Sequence, residues 1–239
     1  DKALLSQHLH AYDIPYPKGC LVSNMAELNK IETLNFPVIS KPTIGYGGGK
    51  HIHLFKNMDT LKTHFKNNNF LGIHIIQEYI EGYDIDCSVL CKAGEILTYT
   101  IQEPKLFSVV EKLMKTLNWS GIAHIDLRFD ENAQQFKVIE INPRFWLSLE
   151  ASLHAGFNFP ELSHKLSIGQ TLITPKFNEC SYWSLRGLKL KQDKKILFRW
   201  KFLKKHTGLK FLIKDPVPIF YRFFALRFGK IESIHDFSN

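Results

Sequence analysis

Residues Gly121 to Arg144, GIAHIDLRFDENAQQFKVIEINPR, constrain the fold more than any other stretch of the chain. Ala123, Ile125, Leu127 and Phe129 alternate with His124, Asp126, Arg128 and Asp130, and further on Val138, Glu140 and Asn142 alternate with Ile139 and Ile141. Period-two alternation means two strands, with each set on one face. Glu131 to Gln135 is polar and of hairpin length. A hairpin centred near Ala133 sets Asp126 opposite Glu140, and His124 opposite Asn142. Facing carboxylates repel, and a divalent cation is the simplest offset. An all-oxygen set of Asp126, Glu140 and the Asn142 amide suits magnesium or manganese. The same spacing also describes a hairpin whose charged face is solvated, so the rest of the chain has to decide.

Hydrophobic content of 44% and charged content of 23% are ordinary for a globular protein. With 239 residues the chain has room for one large domain or two small ones. No apolar run approaches the roughly 20 residues that span a bilayer. No signal peptide opens the chain, and the Asp1-Lys2 start implies that its beginning is missing. Cys20, Cys87, Cys91 and Cys180 form no CxxC pair, which argues against zinc and for a reduced, cytoplasmic protein. The net charge of +8 is uneven: residues 186–239 hold 14 Lys/Arg against 4 Asp/Glu, and residues 1–185 hold 17 against 19. The basicity belongs to the tail.

Residues 3–11 have helical spacing, and Ser23 is a candidate cap for a second helix through Met25, Leu28 and Ile31. Phe36 to Ser40 reads as a short buried strand, followed by Lys41-Pro42 and the glycine-rich TIGYGGGK, Thr43 to Lys50. His51 to Phe55 is its partner. Such a glycine-rich tip brings backbone N–H groups close to phosphates, and it equally describes a plain flexible hairpin. It lacks the final Ser/Thr of a P-loop and has strands on both sides. A helix about Met58 to Lys66 precedes strands Ile73–Tyr79, Asp84–Leu90 and Ile96–Ile101, then a helix from about Leu106 to Leu117.

Taken in order, Lys-Pro after a buried strand, a glycine-rich loop, Gln77-Glu78-Tyr79-Ile80-Glu81-Gly82, Asp126 and Glu140-x-Asn142-Pro143-Arg144 make a specific set. Residues 1–174 resemble the ATP-grasp superfamily, most closely its carbamoyl-phosphate-synthase-like and carboxylate–amine ligase branches. The resemblance implies an α+β fold of two subdomains gripping ATP: residues 1–76 as linker helix and lid, residues 77–174 as the large subdomain, and residues 175–239 as a basic, mostly helical extension. It implies Lys41 and Lys2 on the phosphates, Gly45, Gly47, Gly48 and Gly49 in a flap over them, and Gln77, Glu78, Tyr79 and Ile80 as the adenine hinge. Asp84 takes the ribose position, and Asp126, Glu140 and Asn142 are the ligands of magnesium or manganese. Arg144 would steady the transferring phosphoryl group or the acyl-phosphate.

The implied reaction activates a small carboxylate with ATP for attack by an amine or related nucleophile, in surface-polysaccharide or amino-acid metabolism. The alternatives are a phosphotransferase or a non-catalytic ATP-binding protein. Two departures stand out. His124 replaces a basic residue, often arginine, and reads either as an oxyanion donor or as a structural partner of Asn142. The segment from Gln102 to Leu106 is short where relatives carry a longer loop, and the family's N-terminal α/β domain would precede Asp1.

In the tail, Leu188, Ile196, Phe198, Trp200, Phe202 and Leu203 interleave with Lys189, Lys191, Lys194, Lys195, Arg199, Lys201, Lys204 and Lys205. Basic, aromatic helices dock on the inner face of a membrane, or pack on a core with a solvated basic face. No RNA- or DNA-binding motif is present, so nucleic acid is not an expected partner.

Overall fold

The computed structural model describes residues 1–44, 51–67, 72–101, 103–173, 175–179, 181–182, 199–217 and 220–221. The chain forms two compact units, Asp1–Trp146 with Pro160–Thr174, and Leu147–Phe159 with Pro175–Asn239.

The first unit opens with helix α1, Lys2–Ala11, capped by the Asp1 carboxylate, which accepts from the N–H groups of Ala3 and Leu4. Four strands follow: β1 (Gly19–Val22), β2 (Val38–Pro42), β3 (His53–Phe55) and β4 (His74–Glu78). They form one antiparallel sheet in the order β1-β4-β2-β3. A 3₁₀ helix over Met25–Thr33 and helix α2, Met58–Asn67, cover one face. Leu28 and Ile31 eclipse at the three-residue spacing of a 3₁₀ turn, and Leu61 and Phe65 at i,i+4, to pack on Val22, Val38 and Ile76. Asn24, not Ser23, caps the 3₁₀ helix: its side chain accepts from the Glu27 N–H at 3.2 Å, and Ser23 instead donates its N–H to the Glu27 carboxylate. The two polar neighbours are alike in sequence, and only the extended backbone of Asn24 aims its oxygen into the first turn.

The second sheet of this unit comprises β5 (Gly82–Lys92), β6 (Glu95–Tyr99), β7 (Gly121–Asp130) and β8 (Gln135–Asn142), in the order β6-β5-β7-β8. Helix α3, Pro104–Thr116, begins two residues before the expected start because Glu103 caps it and Pro104 fits the first turn. Its Leu106, Val110, Leu113 and Met114 bury one stripe against Cys87, Val89, Ile125 and Leu127. The β7–β8 pairing is irregular. Leu127 faces Val138 and Asp126 faces Glu140, so Ile139 is an extra residue, a β-bulge. Val138 therefore turns into the core, 1% exposed, and does not share a face with Glu140 as strict alternation predicts.

Where β4 passes to β5, Gly82 has φ +142°, and a methyl group there would lie 1.9 Å from the Phe129 carbonyl oxygen. Gly82→Ala is expected to cost roughly 1–3 kcal/mol in backbone strain, with the clash in addition. Thermal unfolding measures it, and an unchanged midpoint would contradict this close approach.

The second unit holds helix α4, Leu149–His154, and helices α6, Trp200–His206, and α7, Leu209–Lys214; helix α5, Phe159–Ser167, belongs to the first unit from Pro160 on. The Tyr182 hydroxyl donates to Glu150 at 2.6 Å, and His154 Nε2–H to the Lys205 carbonyl at 2.7 Å. Gly208 leaves room for the Glu150 carboxylate.

Candidate active site

The polar face of the second sheet is a three-by-three grid set by strand register. Asp84, Arg128 and Lys137 form one row, Asp86, Asp126 and Glu140 the next, and Ser88, His124 and Asn142 the third. The bulge brings Glu140 and Asn142 onto this face. Directly opposed residues lie about 4.5–5.5 Å apart, so the middle row places three carboxylates side by side. Burial raises the Asp126 carboxyl above its ordinary value, and Glu140 and Asp86 push the same way, against His124 and a hydrogen bond from Asn142. Asn142 Nδ2 donates to Asp126 Oδ2 at 3.0 Å, and Arg144 Nη2 to Asn142 Oδ1 at 3.3 Å. His124 makes no bond to Asn142. Its Nδ1 meets Ser88 Oγ at 2.9 Å and its Nε2 lies 3.5 Å from Asp126 Oδ1.

Cations stand over this acidic row. Lys2 Nζ lies 3.9 Å from Glu140 Oε1. The Lys2 N–H donates to the Thr43 carbonyl at 3.3 Å, tying the start of α1 to the end of β2. Lys41 sits on the face of β2 opposite Val38 and is only 5% exposed. Burial pushes its ammonium down to about 8, with Glu140 opposing and Lys2 reinforcing the shift. On the same sheet face, Gln77 donates Nε2–H to the Pro17 carbonyl at 3.1 Å. Among the described residues its buried Oε1 has no partner. Gly19 makes this placement feasible, because a Cβ there would come 2.6 Å from Gln77 Cγ.

The segment after β4 is held by two cations from the second sheet. Arg128 donates to the carbonyls of Ile80 at 2.6 Å and Gly82 at 2.8 Å, pairs with Asp84 at 2.6 Å, and lies 5.5 Å over the Tyr79 ring. Lys137 bridges Glu78 at 2.8 Å and Asp130 at 2.9 Å. Ile80 is buried and Tyr79 exposed. Sequence reading passed over Asp86, Ser88, Arg128 and Lys137. The D-x-D-x-S alternation of β5 carried the signal for the first two. Gly45, Gly47, Gly48 and Gly49 lie outside the described residues. A cavity of about 720 Å³ walled by Leu5, Leu117, Trp119 and Ile141 meets the grid only at Glu140, with Lys2 on its rim.

Among the described residues, no three His, Cys, Asp or Glu side chains stand as a ready metal cluster. The proposed set differs in kind, being two carboxylates and an amide. These hard oxygen donors, with surplus negative charge beside them, fit magnesium or manganese.

Two antiparallel sheets, the first presenting Lys41 beside Lys2 of α1 and the second presenting carboxylates, define an α+β ATP-grasp fold. Two family models place residues 1–183 in the ATP-grasp superfamily. Residues 1–104 match the family described as ATP-grasp domain, and residues 74–183 match ATP-grasp in the biosynthetic pathway with Ter operon. The chain is similar to the carbamoyl phosphate synthase large chain of Methanobrevibacter smithii, 23% identical over 72% of this chain and 19% of that protein. It is also similar to the glutamate–LysW ligase of Sulfolobus acidocaldarius, 34% identical over 38% of this chain and 34% of that protein. The chain thus spans about a fifth to a third of these relatives. Among solved structures, it resembles the biotin carboxylase domain of Hydrogenobacter thermophilus 2-oxoglutarate carboxylase in complex with MgADP, ADP and bicarbonate. That match has a TM-score of 0.61 and 20% identity, covering 74% of this chain and 48% of that one.

Proposed function

We propose that this chain is the ATP- and metal-holding part of a ligase that activates a carboxylate as an acyl-phosphate for attack by an amine. The observation that carries the reading is the row Asp86–Asp126–Glu140 facing the buried Lys41 and Lys2. In it, Lys41 and Lys2 bind phosphate oxygens as charge-assisted donors. Gln77 Oε1 accepts from the exocyclic amine of adenine, alongside the backbone of Glu78, Tyr79 and Ile80, and Asp84 accepts from the ribose hydroxyls. Asp126, Glu140 and Asn142 hold magnesium or manganese, which supplies charge neutralisation at the phosphates when bound.

The substrate carboxylate oxygen attacks the γ-phosphorus, and ADP leaves. The amine nitrogen then attacks the acyl carbon, phosphate leaves, and the nitrogen loses a proton. Arg144 steadies the transferring phosphoryl group and then the acyl-phosphate. An enzyme nucleophile is not required. Burial pushes the thiols of Cys87 and Cys91 up to about 12, which keeps them neutral and supports that view.

The test is ADP release by the full-length protein against pairs of carboxylates, amino acids and sugar acids included, with amines. Release that depends on both partners, with an amide product, is the expected result. A stable phosphorylated product would establish the phosphotransferase reading instead, and ATP binding without release in any pair the non-catalytic one.

The second unit supports a peripheral reading of location. No helix among the described residues is long and apolar enough to cross a membrane. Trp200, Ile213, Val217, Phe220 and Tyr221 are exposed beside exposed Lys201, Lys204, Lys205 and Lys214. Residues 183–198 and 222–239 lie outside the described residues. Such a surface suits an anionic lipid face, worth about 1 kcal/mol per lysine near it. Vesicles containing anionic lipid are expected to pellet the chain, and changing those four lysines to glutamate to release it. Equal pelleting by neutral vesicles, or none by either, overturns the reading.

A further inference from the structure

We propose that Asp126 sets His124 in its Nε2–H tautomer while Ser88 and Trp146 hold the ring aimed along the acidic row, which makes Ser88 a positioning residue for the site. Ser88 and His124 are cross-strand neighbours on β5 and β7. Both are nearly buried, at 1% and 9% exposure, so few partners are open to either side chain. Ser88 Oγ lies 2.9 Å from His124 Nδ1. The backbone of Ser88 is pinned on its other side by Thr100, whose hydroxyl accepts the Ser88 N–H and whose N–H donates to the Ser88 carbonyl, each at 3.1 Å. The Trp146 ring stacks on the imidazole, centroids 5.1 Å apart and planes 9° from parallel. Ring position and plane are therefore set by three separate elements.

A hydroxyl can donate to or accept from a ring nitrogen, so Ser88 alone does not choose the tautomer. Asp126 does. Its Oδ1 lies 3.5 Å from Nε2. A carboxylate at that distance attracts an N–H and repels a lone pair. Nε2 thus carries the hydrogen, Nδ1 carries the lone pair, and Ser88 donates to it. The consequence is a fixed N–H at the edge of the acidic row. When a cation engages Asp126, that N–H becomes available to an oxygen of the reacting group. Only this last step rests on the ligase reading.

The experiment is long-range ¹H–¹⁵N NMR of the histidine-labelled chain at pH 8 without nucleotide. His124 is assigned among the 11 histidines by its loss in His124→Gln. The expected result is a single Nε2–H tautomer in wild type and Ser88→Thr, and a mixture in folded Asp126→Ala. An Nδ1–H tautomer in wild type overturns the proposal, whatever the variants do. So does an unchanged tautomer in folded Asp126→Ala. In the turnover arm, Ser88→Ala is expected to lower kcat about 10- to 100-fold with the KM for ATP within about twofold, and Ser88→Thr to restore it. Loss of ATP affinity in proportion would assign Ser88 a structural role and overturn the proposal. A fixed tautomer in a chain that turns over no carboxylate–amine pair would count against the ligase reading alone.

Discussion

Asp126→Asn is expected to abolish turnover while leaving the metal-free chain at least as stable as wild type. The carboxylate stands between Asp86 and Glu140 and is partly buried, so its charge is disfavoured in the fold. An asparagine keeps the oxygen that accepts from Asn142 and removes the charge. Cross-strand like-charge contacts cost roughly 0.2–1 kcal/mol each, and solvent screening trims that for a side chain 42% exposed. The gain in the metal-free state is therefore expected to stay within about 1 kcal/mol. The loss in catalysis is far larger, on the order of 10³-fold, because charge neutralisation at phosphate is worth several kcal/mol.

The pH dependence separates this account from a packing effect. The Asp126 carboxyl lies above its ordinary value, so the folded chain binds that proton more tightly than the unfolded chain does. The penalty is full above the folded pKa and fades as pH falls towards the ordinary aspartate value near 4. The stability advantage of Asp126→Asn should thus appear at neutral pH and close on acidification. Denaturant titrations across pH measure it. A variant clearly less stable than wild type without metal would remove the case for a strained acidic row.

The second large effect concerns Lys41. Its ammonium is 5% exposed and titrates at about 8. Below that pH the fold carries the cost of a buried charge, on the order of 3 kcal/mol at 1.36 kcal/mol per unit. Between about 8 and the ordinary lysine value near 10.4 the unfolded chain holds more protons, so stability rises with pH. Nucleotide affinity runs the other way. Phosphate favours the charged amine, so ATP affinity is expected to hold below pH 8 and fall up to about tenfold per unit above it. Lys41→Met is expected to lose on the order of 10²- to 10³-fold in affinity or turnover with equal or greater stability at neutral pH. Lys41→Arg, always charged, should flatten the pH profile. Calorimetry across pH 7–10 tests this, and a wild-type affinity flat through pH 9 would show that Lys41 does not meet phosphate.

Much of this was legible in the sequence. The facing of Asp126 and Glu140, and of His124 and Asn142, was expected from a turn centred near Ala133; the structure reaches it with a turn centred half a step earlier and the bulge at Ile139. Val138 did not follow, because a bulge leaves no mark in composition; Ile139 looks like any other strand isoleucine. Lys41 was visible as the cation closing a buried strand, but its burial depends on how two sheets meet. Arg128 and Lys137 stayed hidden for a different reason. Arg128 binds mainly backbone carbonyls, at Ile80 and Gly82, and a carbonyl acceptor has no sequence signature. Lys137 reaches Glu78, 59 positions away along the chain.

The bulge at Ile139 also has a consequence for how the hairpin can vary. The strand carries two parity frames joined at one residue. Phe136 and Val138 keep step with the turn and the core, while Glu140 and Asn142 keep step with the cleft. Continued without the bulge, the register set at the turn would put Ile139 opposite Asp126 and send Glu140 to the core face beside Ile125. The acidic row thus hangs on one inserted residue.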